Sequence, residues 1–461
     1  MPIQRPATAS VLLVSECYIR PYAGHGKPHP PSVPLTPWDY AMLSCYYIQK
    51  GLFFSKPPRS AQPPFSISTF IDDLKESLSR TLVYYYPLAG RFAIRKTDDP
   101  PSYIVYIDCN SGPGARVVHA TADLFVDDIL KATYLPDVVQ SFFDHDKALN
   151  HEGVVRPLLT IQVTELIDGI FVGCSMNHAV GDGSSFWNFF NSFSEVFLAV
   201  QEGNRGVPLV LHPPSFDRKF LKEYLPSNGL PYTHPEQFLH PFNPPLLKER
   251  VFHLSSESIA KLKHRVSSEL GTKKPISSLQ AVSALVWRAV TRARHLPAGQ
   301  VTNCRVACNN RPRMGTLVPE NYFGNCIAAL CATTTAAELL ENNLGWAASK
   351  IHDKVAEHSA EKVRQSLEEW TKSPVVYQIG PTFDPCSVMM GSSPRFNKYG
   401  VQFGLGKALA LRSGFAHKFC GKVSFYPGEE GGASMDLETC LIPRTMDAIE
   451  SDEEFLEFVS L

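Results

Sequence analysis

The stretch SMNHAVGDGSSFW (Ser175–Trp187) sets a histidine four residues before an aspartate, with a glycine on each side of the acid. A histidine titrates near neutrality, so His178 can take a proton from a hydroxyl or an amine and give it back. Asp182 could orient such a base, or it could cap a helix. The spacing alone selects nothing. In 461 residues, 15 histidines meet an aspartate at this distance roughly once by chance, and His119 with Asp123 shows it too. The surroundings single out His178. It closes a run of strand character. Gly181 and Gly183 permit a sharp backbone turn. Ser184 or Ser185 reads as an N-cap, and FWNFFNSFSEVFLAV follows as a helix apolar on all sides. A residue between strand exit and helix start opens toward a cleft. The plain alternative is a histidine packed in a turn, with Asp182 capping the helix.

Several elements must position this turn. LTIQVTELIDGIFVGCSMNHAV holds two apolar runs about Asp168-Gly169, the pattern of a hairpin. LTPWDYAMLSCYYIQKGLFF opens as a helix at Thr36-Pro37. Phe70, Leu74, Leu78 and Leu82 keep helical spacing, with Asp72-Asp73 read as the first turn, where the helix dipole favours acids. Proline is dense between residues 205 and 249, which excludes regular helix or central strand. That segment reads as a crossover between an N-terminal domain (1–204) and a C-terminal domain (250–461). In the second half, SSESIAKLKHRVSSEL, SSLQAVSALVWRAVTRARHL, the long run from Ala336 to Trp370 and TMDAIESDEEFLEFVSL read as helices. VTNCRVACNN, GKALALRSGF, GKVSFYP and SMDLETCLIP read as strands.

Composition excludes several classes. The length calls for more than one domain. A net charge of -1 argues against a nucleic-acid binder. No run approaches ~18 apolar residues, so no membrane span is expected. VLLVS (Val11–Ser15) is too short for a secretory core. Eleven cysteines then read as free thiols of a cytoplasmic protein. Cys304 and Cys308 lack a second ligand pair, so no metal site is expected. No G-x-S-x-G elbow supplies a serine nucleophile.

NHAVGDG resembles the HxxxDG motif of the plant BAHD acyl-CoA-dependent acyltransferases. SECYIRP, YYYPLAGRF, CNNRPRM, PENYFGNC, QFGLGKALALRSGFAHKFCGKVSFYPG and MDLETCLIP stand in that family's order, so the resemblance covers essentially the whole chain. It implies an α/β protein of two similarly folded sheet-plus-helix domains, chloramphenicol-acetyltransferase-like, with a long crossover and a channel at their interface. It implies a monomer that binds no permanent cofactor, takes acyl-CoA as co-substrate, and acylates a small-molecule acceptor. His178 would be the general base. Asp182, beside Gly183, would be structural, paired with Arg311 or Arg313; the sequence does not choose between them.

The family's second motif, DFGWG, reads QFGLG here: Gln402, Phe403, Gly404, Leu405 and Gly406. The glycines and Phe403 keep a tight loop. A carboxylate lost at residue 402 would leave a buried partner unpaired, at ~3–5 kcal/mol, unless that partner changed too; the plain alternative is a tolerated drift with local compensation. Ser392 and Ser393 are candidate oxyanion donors. Trp38 and Tyr40 are candidate acceptor contacts. Lys407 and Lys418 are candidate partners of CoA phosphates. The altered motif motivates a second reading, a lyase or an intramolecular acyl transfer without CoA. A third is a binding protein in which His178 is a relic.

Overall fold

The computed structural model describes residues 10–23, 29–58, 60, 64–204, 210, 212–225, 229–271, 274–382, 384–415 and 418–460. Parts of the proline-dense crossover (205–209, 211 and 226–228) lie outside these. The strands are β1 (Val11–Ile19), β2 (Ser32–Pro34), β3 (Ile48–Ser55), β4 (Arg91–Asp98), β5 (Pro101–Asp108), β6 (Ala115–Ala122), β7 (Leu159–Glu165), β8 (Gly169–Met176), β9 (Lys248–Leu254), β10 (Val301–Asn309), β11 (Ile327–Thr335), β12 (Val388–Gly391), β13 (Ala410–Ser413), β14 (Lys422–Pro427) and β15 (Met435–Leu441). The helices that matter here are α1 (Pro37–Tyr40), α2 (Ile67–Thr81), α3 (Val126–Leu130), α4 (Gly183–Gln201), α5 (Ser256–Leu270) and α6 (Ser278–Ala293).

Two six-stranded mixed sheets organise the chain, ordered β1-β6-β7-β8-β3-β13 and β11-β10-β12-β14-β15-β9; β2-β5-β4 form a third, smaller sheet. The β7–β8 hairpin lies inside the first sheet, and both strands are buried on both faces. Leu52, Phe54, Ile161, Val163, Ile170 and Val172 share one core with Leu74, Leu78, Phe186, Phe189 and Phe193 of α2 and α4. Phe53 and Phe171 turn to the other face and pack with Phe142 and Phe143. The second sheet buries Cys304, Val423 and Leu437 together with α5 and α6, whose Trp287 is fully enclosed.

Several elements depart from the sequence reading. The helix at Thr36-Pro37 makes one turn, capped by Thr36, and the chain then enters β3, a central strand with both faces buried. Helix α2 starts at Ile67 with Ser66 as its N-cap, so Asp72 and Asp73 lie one to two turns inside it and not in the first turn. The C-terminal helix is two short ones, Pro443–Ile449 and Glu453–Leu456, because Asp452 caps a new start. The least expected element is β13. It comes from the C-terminal half, yet it pairs with β3, Ala410 opposite Phe53 and Ser413 opposite Lys50, and so completes the first sheet. The chain therefore leaves the second sheet after β12, adds β13 to the first, and returns as β14.

Candidate active site

His178 sits where β8 ends, two residues past Met176 and five before α4. Its turn is strapped by side-chain amides. Asn150 Oδ1 accepts the His178 N–H at 2.7 Å, and Asn325 Nδ2 donates to the His178 carbonyl at 2.7 Å. Asn177 Nδ2 donates to the Asn150 carbonyl at 2.7 Å, while its Oδ1 accepts the Ala179 N–H at 3.0 Å. Asn325 is in turn held by Asp39, whose Oδ1 accepts the Asn325 N–H at 3.0 Å and Nδ2 at 2.8 Å. The other Asp39 oxygen accepts the Thr36 N–H and hydroxyl. Asp39, Asn150 and Asn325 are fully enclosed. The sequence reading missed all three. The T-x-x-D capping box at Thr36 was the one local signal that Asp39 had a structural task.

Helix α4 is capped by Asp182, and neither Ser184 nor Ser185 fills that place. The Asp182 carboxylate accepts the Ser184 N–H at 3.0 Å and the Ser185 N–H at 3.1 Å. Gly181 and Gly183 do not adopt left-handed backbone. Gly181 supplies room instead, since a Cβ there would stand 2.8 Å from the Ser185 Cβ.

Arg311, not Arg313, is the partner of Asp182. Its Nη1 donates to Oδ2 at 2.7 Å and its Nη2 to Oδ1 at 3.2 Å, and the Cys326 N–H adds a bond of 2.9 Å. Arg313 donates to the backbone carbonyls of His358 and Asn309. Burial works against a charged Asp182. The Arg311 guanidinium and the N–H groups of Ser185 and Cys326 nevertheless hold its carboxyl below the usual range. Both Asp182 oxygens are thus committed, and toward His178 the residue acts as a nearby charge. Burial lowers the His178 pKa, partly offset by backbone bonds and by Asp182.

A cavity of about 240 Å³ opens between the two large sheets. His178 and Gly183 line it from the first half, Asn309, Met389 and Ser424 from the second. Ser392 and Ser393 line it as well. The Ser392 hydroxyl oxygen accepts from Lys398 Nζ at 3.3 Å and that of Ser393 from the Arg395 N–H at 3.2 Å, and neither O–H donates to another group among the described residues. Trp38 and Tyr40 do not reach the cavity. Trp38 packs with Leu221 and Tyr322, and the Tyr40 hydroxyl bonds both backbone groups of Val105. Met42, Cys45, Ile48 and Lys50 of the same segment line it instead. Cys304 belongs to the second core, while Cys308 faces the cavity. Lys418 is buried between Glu249 and Glu438, so it is not open to a phosphate. Lys407 is exposed.

The QFGLG loop lies outside this lining. Phe403 (φ 46°) and Gly404 (φ 67°) both take left-handed backbone, and the Leu405 N–H closes the turn on the Gln402 carbonyl at 2.9 Å. Strain at a bulky Phe403 is offset by packing. Its ring is fully buried against Phe190, Phe193 and Phe197 of α4. Ser194 of the same helix accepts the N–H groups of Gln402 and Phe403 at 2.9 and 3.1 Å. The Gln402 side chain is exposed. The expected cost of a broken buried ion pair therefore does not arise at this residue.

Comparison with known proteins closes the family question. The profile described as "Transferase family" matches residues 21–456. The chain belongs to the BAHD acyltransferase family. It is 34% identical over 458 residues to an uncharacterized acetyltransferase of Arabidopsis thaliana, covering 97% of this chain and 99% of that one. It is 33% identical over 437 residues to the BAHD acyltransferase DCR of the same plant, covering 92% and 88%. Among solved structures it is similar to F. graminearum TRI101, crystallised with coenzyme A and T-2 mycotoxin. That match has a TM-score of 0.71 at 19% identity over 93% of this chain and 99% of that one. It bears out the two sheet-plus-helix units expected from sequence.

Proposed function

We propose that this acyltransferase moves an acyl group from acyl-CoA to a hydroxyl or amine of a plant specialised metabolite, with His178 as general base. The placement of His178 at a cavity shared by both sheets carries the reading. Its lowered pKa keeps the imidazole neutral at pH 7, the form that accepts a proton. The acceptor loses its proton to the imidazole as its oxygen or nitrogen attacks the thioester carbonyl. The oxyanion then formed meets the free O–H of Ser392 or Ser393. Collapse expels the CoA thiolate, which takes the proton back from the imidazolium. No acyl-enzyme is needed. Asp182 and Arg311 hold the turn and stay out of the proton transfer. TRI101 was crystallised with coenzyme A and T-2 mycotoxin, which supports a two-substrate cavity. We further propose a division into residues 1–204, 205–249 and 250–461, and a cytoplasmic monomer, both from the family resemblance. No observation favours a reaction without CoA, because the altered motif neither lines the cavity nor exposes a broken ion pair.

Calorimetry of acetyl-, malonyl- and hydroxycinnamoyl-CoA with the native protein and His178→Ala, beside turnover on an acceptor panel, tests the proposal. Expected is unchanged CoA binding and a ~10²–10⁴-fold fall in kcat. Unimpaired turnover in the variant would remove His178 from the chemistry, and no binding of any CoA species would sink the transferase reading.

A further inference from the structure

The wall of the cavity holds two lysines that no carboxylate contacts among the described residues. Lys50 on β3 and Lys422 on β14 both line it. Carboxylates of this region make their contacts elsewhere. Glu249 and Glu438 both close on Lys418, and Asp436 pairs with His253 at 2.7 Å. Among the described residues, neither Lys50 nor Lys422 has a carboxylate within 4.0 Å. Among the described residues, Lys50 Nζ donates to two neutral oxygens, Ser413 Oγ at 2.6 Å and Tyr426 OH at 2.7 Å. An ammonium has three donors, so one remains. Lys422 Nζ finds no hydrogen-bond acceptor among the described residues. A third lysine, Lys398, whose pKa burial lowers well below the ordinary value, lies over the Tyr426 ring and donates to the Phe425 carbonyl and Ser392.

These lysines are placed by the fold and not by chance flexibility. Lys50 is held by β13, the strand that crosses from the other half, through Ser413. Lys422 lies across Gly391, where a Cβ would come within 1.9 Å of its Nζ. Only glycine leaves the ammonium that position. Burial pushes the Lys50 pKa down to about 7 and that of Lys422 to about 8, with Glu438 opposing in both cases. Desolvated lysines with no carboxylate in contact lose their protons readily, and an anion joining them would restore the charged form.

We infer that the substrate pocket is built for a molecule carrying a free carboxylate, which Lys50 and Lys422 clamp from the two sheets at once. The inference rests on the transferase reading and narrows it. The carboxylate can belong to the acyl donor, as in a dicarboxylic monothioester, or to the acceptor. Both have the same recognition chemistry, and the pocket would orient either against His178.

The test uses the intact chain and the variants Lys50→Met, Lys422→Met and Gly391→Ala, with Lys263→Met as an exposed control and circular dichroism to verify folding. Gly391→Ala keeps the charge and displaces the ammonium. Calorimetry compares malonyl-CoA with acetyl-CoA for the donor arm, and benzoate and glutarate with benzamide for the acceptor arm. Expected is a carboxylate preference in one arm that falls ~10–100-fold in each cavity-lysine variant and in Gly391→Ala, but not in Lys263→Met. A preference for malonyl-CoA assigns the anion to the donor; a preference for the free carboxylates assigns it to the acceptor. Binding of CoA species with no carboxylate preference, or with one the lysine variants leave intact, overturns the inference and leaves the transferase reading standing. Lysine-dependent carboxylate binding without any CoA binding upholds the clamp and sinks the transferase reading. Binding of neither overturns both.

Discussion

Asp182→Asn separates a structural acid from a catalytic one. The wild-type carboxylate is fully enclosed and receives five donors, two from Arg311, two from the start of α4 and one from Cys326. Asparagine keeps the shape and remains a good N-cap, so the α4 start loses little. It removes the charge facing Arg311. It also turns an NH₂ group toward Arg311 Nη1 or the Cys326 N–H, donors that stand 2.7 and 2.9 Å from Oδ2. A guanidinium buried without its partner costs ~3–5 kcal/mol. Urea unfolding followed by circular dichroism should show that loss in Asp182→Asn and a similar one in Arg311→Met. The double variant should lose no more than either single change, because the second substitution removes the stranded partner. Turnover per folded molecule should fall less than in His178→Ala, with the acid limb moved to lower pH because the Asp182 charge that raises the His178 pKa is gone. Wild-type stability in Asp182→Asn would refute the reasoning. So would strictly additive losses in the double variant, or an acid limb displaced to higher pH.

Two further outcomes follow. The acid limb of kcat/KM should fall below the ordinary histidine value near 6.5, since burial lowers the His178 pKa and the neutral imidazole persists above it; an acid limb above 6.5 would mean that a different group titrates. Gln402→Asp, which restores the family's acid, should change stability by less than ~0.5 kcal/mol and leave turnover unchanged, because the side chain is exposed; a stabilisation of several kcal/mol in urea unfolding would reveal a buried cation waiting for it.

The parts of this site that could be read from sequence are those whose cause is local. The hairpin about Asp168-Gly169, the strand exit at His178 and the apolar helix after it each follow from a few neighbouring residues. Asp182 itself was legible, but its partner was not. Arg311 and Arg313 flank one proline, and only the way the chain leaves β10 turns one guanidinium into the interior and the other onto backbone carbonyls. Asn150 and Asn325 work through bonds to a turn 28 and 147 residues away, and no local pattern announces that. Trp38 and Tyr40 failed as pocket residues for a related reason. The chain makes one turn there and dives into β3, so the cavity receives the residues that follow. Lys50 had no signal at all, because a lone lysine in a segment that opens as a helix reads as a solvent-facing residue. It becomes a pocket residue only because β13 arrives from the far half and covers that edge of the sheet. The same crossing explains the second motif. A tight turn at Phe403 and Gly404 must deliver β13 to the first sheet while fastening to α4, the helix that Asp182 starts. The loop needs its glycine, its buried ring and Ser194, and it needs no charge at residue 402. A substitution that looks severe in the motif therefore falls on the one side chain of the loop's first half that faces water.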